Sequence, residues 1–256
     1  MRTAKPSFLG RERPLLCAMV QDTTPDEMIC TILDSLYDGA DAFGIQLCNL
    51  KQEYRTEETL RKIFSYCDGH PIYVTSYRGG QSKELTDDER AELLLLALRA
   101  GATLCDVMGD YFAPTKDQLT FEPAAVEKQR RLIDEIHAQG GEVLISTHTS
   151  RTFSEEEVVA YAKEQIARGA DVVKIVSKAE TEDEETMALQ IIRRLKKECD
   201  RPFLFLVGGK YTRLVRQIGP ALGVCMYLCV QRYRPITAKP QPLLRAVKAI
   251  RDAMLL

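Results

Sequence analysis

Lys174 lies in Asp171-Val-Val-Lys-Ile-Val176, a run too apolar and β-branched to be a surface strand. Period-two alternation puts Val172, Lys174 and Val176 on one face and Val173 and Ile175 on the other, so the ammonium points into an apolar layer either way. A buried charge without a partner is costly, and a lysine in that position relieves the cost by losing its proton. The neutral amine can then attack a carbonyl and form an imine. One strand earlier, Leu144-Ile-Ser-Thr-His148 places a histidine where an apolar strand ends. Lysine and histidine on consecutive strands make a candidate nucleophile and base, with no cofactor needed for that chemistry.

The elements that would position this pair repeat along the chain. Apolar strand-like runs begin near Pro14, Ala42, Pro71, Thr103, Glu142, Asp171, Pro202 and Cys225, each followed by a helical pattern. Thr24-Pro-Asp-Glu27, Thr86-Asp-Asp-Glu89 and Ser154-Glu-Glu-Glu157 offer capping boxes at helix starts. Gly39, Gly101 and Gly169 stand where a helix C-terminus needs positive φ before the next strand. Eight such units in 256 residues fit a closed (β/α)8 TIM barrel in one domain, 1–256, with residues 1–12 as a flexible or barrel-capping segment. In that fold the chemistry belongs at the C-terminal ends of the strands, where His148 and Lys174 both lie.

Composition narrows the partners. An apolar fraction of 45% with 28% charged residues and no apolar run of membrane-spanning length describes a soluble cytoplasmic protein without a membrane partner. Eight cysteines fall mostly within apolar patterns, and Cys225-Met-Tyr-Leu-Cys229 continues a strand, so neither a disulfide framework nor a metal site is expected. Residues 201–256 carry ten Lys or Arg against the single acid Asp252, although the whole chain is at −2. Lys210, Arg213, Arg216, Arg232, Arg234 and Lys239 fall in or near the loops after strands seven and eight. A small anionic substrate explains them better than nucleic acid, which would bring a basic domain with interleaved aromatics. Gly208-Gly-Lys210 lacks the spacing of a phosphate loop, and His70 and His137 read as surface histidines.

Taken together, Ile145-Ser-Thr-His148, Gly169-Ala-Asp-Val-Val-Lys-Ile175, Gly209-Lys-Tyr-Thr-Arg-Leu-Val-Arg-Gln-Ile-Gly-Pro220 and Thr237-Ala-Lys-Pro-Gln241 resemble the type I 3-dehydroquinate dehydratases, imine-forming barrel enzymes of the shikimate pathway. The resemblance implies a homodimeric lyase acting on a cyclic hydroxy-ketone acid. Lys174 would condense with the C3 ketone of 3-dehydroquinate, and His148 would move a proton from C2 to the departing C1 hydroxyl. Arg216 would clamp the carboxylate, with Thr237 and Gln241 on a closing loop. The recognition shell departs from the family. Its Glu-x-Arg-x-Asp after strand two is replaced by Gly44-Ile-Gln-Leu-Cys48, and in Thr75-Ser-Tyr-Arg-Gly-Gly80 Arg78 aligns by the glycines with the family's histidine-supporting glutamate, or nearly with its arginine if the gap moves. Asp106-Val-Met108 lacks the second acid of an Asp-x-Glu, and Thr149 stands where Asp follows the histidine. Gln46, Arg78, Lys210 and Tyr211 are candidates for the lost hydroxyl contacts. Two other readings stay open: a class I aldolase-like barrel acting on another keto acid, and a dehydratase-like metabolite-binding protein with impaired catalysis.

Overall fold

The computed structural model describes residues 6–237 and 240–254. The apolar runs become strands β1 (Leu15–Val20), β2 (Ala42–Gln46), β3 (Ile72–Thr75), β4 (Leu104–Met108), β5 (Glu142–His148), β6 (Val172–Lys178), β7 (Phe203–Gly208) and β8 (Met226–Cys229). Each begins at the expected residue or the next one. Between and after them lie α1 (Pro25–Tyr37), α2 (Glu57–Ser65), α3 (Asp87–Ala100), α4 (Pro123–Ala138), α5 (Glu155–Ala167), α6 (Glu182–Glu198), α7 (Arg213–Leu222) and α8 (Leu244–Ala253).

All neighbouring strands pair parallel in the order β7-β6-β5-β4-β3-β2-β1-β8, which is a (β/α)8 TIM barrel. Between β8 and β7 the ring is bridged by the Cys225 N–H donating to the Phe203 carbonyl at 3.0 Å. Strands buried on both faces need near-continuous apolar sequence, which is why these runs could be read at all. Two glycines are required by close approach. A Cβ on Gly44 would stand 2.3 Å from the Met19 sulfur, and one on Gly109 would stand 2.7 Å from the Gln118 carbonyl oxygen.

Local signals explain the helix starts. Thr86 and Ser154 form full capping boxes with Glu89 and Glu157. At α1 the Thr24 hydroxyl instead donates to Glu27 at 3.0 Å and makes no cap bond. Gly39, Gly101 and Gly169 adopt φ of 89°, 119° and 107°. At the opposite end from the strand C-termini, Phe8 is buried, its N–H donating to Glu142 at 2.9 Å and its ring edge-on to Tyr73. Residues 1–5 of the expected N-terminal segment lie outside the described residues. No helix among the described residues is long and apolar enough to cross a membrane.

Candidate active site

β6 carries Lys174 inward, paired in register with Ser146 of β5 and Leu204 of β7. His148 ends β5 opposite Val176, two residues nearer the mouth on the same face of the sheet. Lys174 is 4% exposed, so its charge must be met inside the protein. Its Nζ lies 2.5 Å from the Tyr77 hydroxyl, 3.0 Å from the Tyr73 hydroxyl and 3.1 Å from Asp106 Oδ2. Both tyrosines donate to that same carboxylate oxygen, Tyr77 at 2.5 Å, and Ser146 donates to the other at 2.5 Å. Burial works against the Asp106 charge, but Lys174, His148 and the bonds from Ser146 and Tyr73 outweigh it and hold the carboxyl below its ordinary value. Burial pushes the Lys174 amine down from the usual lysine range, with Asp106 opposing. The amine is therefore destabilised as a cation yet fully hydrogen-bonded as one.

His148 is oriented by a residue from another loop. Gln118 Oε1 accepts from the His148 backbone N–H at 3.1 Å and lies 3.0 Å from Nδ1. A backbone N–H can only donate, so the carboxamide must present its oxygen, and Nδ1 must carry the proton bonded to it. That leaves the Nε2 lone pair uncommitted by this contact, the tautomer a general base requires. Burial, reinforced by the Lys174 charge, pushes the imidazole down to about 3, so it stays neutral. The Tyr77 ring packs edge-on to His148 with centroids 5.2 Å apart. Tyr77 thus touches both halves of the pair.

The loop holding Gln118 is pinned from several sides. Arg168, buried at the end of α5, donates to Gly109 O at 3.0 Å, to Thr120 O at 2.5 Å and to the Gln129 side chain at 3.1 Å. Thr149 donates to Asp117 at 2.8 Å, and Arg151 pairs with the same carboxylate. The Arg78 guanidinium is committed to Asp87 and Asp110, each at 2.7 Å. An arginine so engaged has few N–H groups left for a substrate, and its contact with Asp110 instead braces the root of this loop.

Arg216, in the first turn of α7, donates through Nε to Val207 O at 3.1 Å and to Thr212 Oγ1 at 2.9 Å. Among the described residues no carboxylate lies within ion-pair distance of it, and burial pushes its guanidinium down to about 10. Several other C-terminal bases have acidic partners. Arg232 pairs with Asp34, Arg234 with Asp22, Arg245 with Asp38 and Arg251 with Asp41. Lys239 lies outside the described residues. Four of the ten bases in 201–256 thus meet acids from the N-terminal part of the chain, and Arg216, half-buried and beside the strand ends, is the anion-binding candidate carried forward.

Thr237 is buried, its hydroxyl bonded to the Arg234 N–H and carbonyl at 2.9 and 2.8 Å. Gln241, also buried, accepts from Gln21 at 3.3 Å. Gln46, half-buried at the end of β2, accepts from Asn49 at 3.2 Å. Lys210 stacks on Tyr211, its Nζ 4.9 Å from the ring centroid. His70 and His137 belong to the opposite end of the barrel, where His70 meets a turn carbonyl and His137 meets Asp171, both near strand starts. Among the described residues no group of three or more His, Cys, Asp or Glu could hold a metal ion. Tyr73, Tyr77, Asp106 and Gln118 are the site residues that sequence reasoning missed.

Comparison with known proteins identifies the family and the fold. The family model described as type I 3-dehydroquinase matches residues 16–254. The chain is 26% identical over 226 residues to the 3-dehydroquinate dehydratase of Shouchella clausii, covering 86% of this chain and 84% of that one. The fold is similar to type I 3-dehydroquinate dehydratase of Clostridium difficile, solved with covalent modified comenic acid, at TM-score 0.80 and 19% identity over 96% of this chain and 94% of that one. It is also similar to 3-dehydroquinate dehydratase of Geobacillus kaustophilus, at TM-score 0.78 and 18% identity over 95% and 93%.

Proposed function

Since the chain belongs to the type I 3-dehydroquinase family, whose members are hydro-lyases of the shikimate pathway, we propose that it dehydrates 3-dehydroquinate to 3-dehydroshikimate through an imine on Lys174. The observation that carries this reading is the buried Lys174 amine bonded to Asp106, with an Nδ1-protonated His148 on the adjacent strand. The amine condenses with the C3 ketone, and the resulting protonated imine acidifies the neighbouring C2 hydrogen. His148 Nε2 takes that proton and delivers it to the C1 hydroxyl as it leaves. A base kept neutral by burial suits both acts, because it accepts the proton only transiently. Arg216 offers a half-buried cation without an acidic partner among the described residues to the substrate carboxylate, and Thr237 and Gln241 lie on the loop that covers it. Gln46 faces the ring hydroxyls as a neutral amide. The C. difficile relative with its covalent modified comenic acid supports testing for an adduct first.

The test is intact mass after borohydride reduction with 3-dehydroquinate, together with absorbance of the conjugated enone. Wild type should show an adduct and enone. Lys174→Ala should show neither, whereas His148→Ala should keep the adduct and lose about 100-fold or more in elimination. Full activity in Lys174→Ala would end the covalent reading. An adduct without enone in wild type would make the protein a binding or impaired relative, and neither signal would redirect attention to other keto acids.

A further inference from the structure

We propose that Tyr77 is a third catalytic residue, whose hydroxyl carries protons from Lys174 Nζ to the ketone oxygen during imine formation; this rests on the covalent reading above. The need for such a group follows from the proton inventory. Forming an imine moves protons from nitrogen to the departing oxygen, so something must hand them across. His148 is poorly placed to do so, because Gln118 holds its proton on Nδ1 and its Nε2 is the lone pair needed later for C2. Asp106 is a carboxylate enclosed beneath the amine, already accepting from Ser146, Tyr73 and Tyr77.

Tyr77 alone has the right contacts. It lies just past the end of β3, four residues nearer the mouth than Tyr73, and is half-buried where Tyr73 is wholly enclosed. Its oxygen is 2.5 Å from Nζ and its ring lies against His148. A ketone entering from the mouth must approach Nζ on the Tyr77 side. The other charged or ionisable groups facing the amine are Arg216 from α7 and Cys17 from β1; the first is kept for an anion and the second lies fully buried.

The step balances without outside acid or base. One N–H bond of the Lys174 ammonium breaks and its proton joins the Tyr77 oxygen, while the Tyr77 O–H turns from Asp106, which keeps its bonds from Ser146 and Tyr73, and gives its proton to the ketone oxygen. The freed nitrogen pair forms the C–N bond, and the C=O π pair becomes the new O–H bond. A second pass moves another N–H proton to the carbinolamine hydroxyl, the C–O pair departs with water, and the nitrogen pair closes the protonated imine. Of the three ammonium protons, one stays on the imine and two leave in water. Tyr77 ends as it began.

Tyr77→Phe and Tyr73→Phe separate a relay from a mere clamp on the lysine. Each full-length protein is mixed with saturating 3-dehydroquinate and cyanoborohydride, and adduct is followed by mass over time. Tyr77→Phe should trap about 100-fold more slowly than wild type, with unchanged half-saturating substrate. Tyr73→Phe, which loses an equivalent bond to Nζ but cannot reach the substrate, should slow trapping far less. Equal rates in Tyr77→Phe and wild type, or equal slowing in both variants, would overturn the relay. So would a loss in Tyr77→Phe that disappears at higher substrate. Absence of any adduct in wild type would instead bring down the covalent reading, and the relay with it.

Discussion

The mechanism we propose needs His148 as a base, which depends on which nitrogen holds its proton, and a neutral carboxamide decides that. Gln118 cannot stabilise an imidazolium as a carboxylate would, which leaves burial and Lys174 free to push His148 down to about 3. Gln118→Glu should therefore raise the imidazole, and because the base must be unprotonated to work, the acid limb of kcat/KM should move to higher pH. Nitrogen NMR of the ring across the same range would show whether Nδ1 remains the protonated atom; an acid limb that does not move would show that Gln118 does not tune the base. The depressed value also has a stability consequence. Between about 3 and the ordinary 6.5 the unfolded chain binds a proton at this histidine that the folded one refuses. The contribution of neutral His148 is thus complete above pH 6.5 and fades as pH falls towards 3, so His148→Gln should lose less stability than wild type on acidification in urea unfolding. Asp106 teaches how much of this was legible. It sits in Leu104-Cys-Asp-Val-Met108, a charged residue in an apolar run, the same signal that singled out Lys174. The two anomalies are partners at 3.1 Å.

Strand starts were legible to within a residue because strands buried on both faces leave a continuous apolar trace. The loop between β4 and α4 leaves none. Gln118 stands 30 residues before His148, and only the barrel's strand order brings them together; its side chain has no periodicity to betray it. Tyr73 and Tyr77 share the inward parity of β3, but a tyrosine on a strand is ordinary, so their convergence on Lys174 emerges only from the fold. What holds the Gln118 loop is Arg168, which reaches it from the end of α5 with bonds to two backbone carbonyls. Arg168→Leu would strand those buried acceptors at a cost of roughly 3 kcal/mol. It should also slow elimination more than imine trapping, since the loop orients His148 and not Lys174. Urea unfolding and single-turnover trapping check the two halves, and an equal loss in both kinetic steps would mean that the loop serves the lysine as well.

Across the whole barrel, the site rests on a continuous column of side chains. Phe8 closes the end opposite the mouth and meets Tyr73 edge-on at 6.4 Å; Tyr73 bonds Lys174 and Asp106, Tyr77 bonds the same lysine, and its ring meets His148 at 5.2 Å. The N-terminal segment thereby touches the underside of the chemistry without reaching the substrate. Phe8→Ala removes a ring that is 3% exposed and leaves a cavity beneath Tyr73, which should cost about 3 kcal/mol and lower the melting temperature by roughly 10 °C. Tyr73 is separately held by Asp106 and Lys174, so it should keep its place over that cavity. Imine trapping at a temperature well below the melt should then stay close to wild type. A trapping rate that falls along with the melting temperature would show instead that the lysine's position is set from the closed end of the barrel, through Tyr73, and not by the carboxylate of β4.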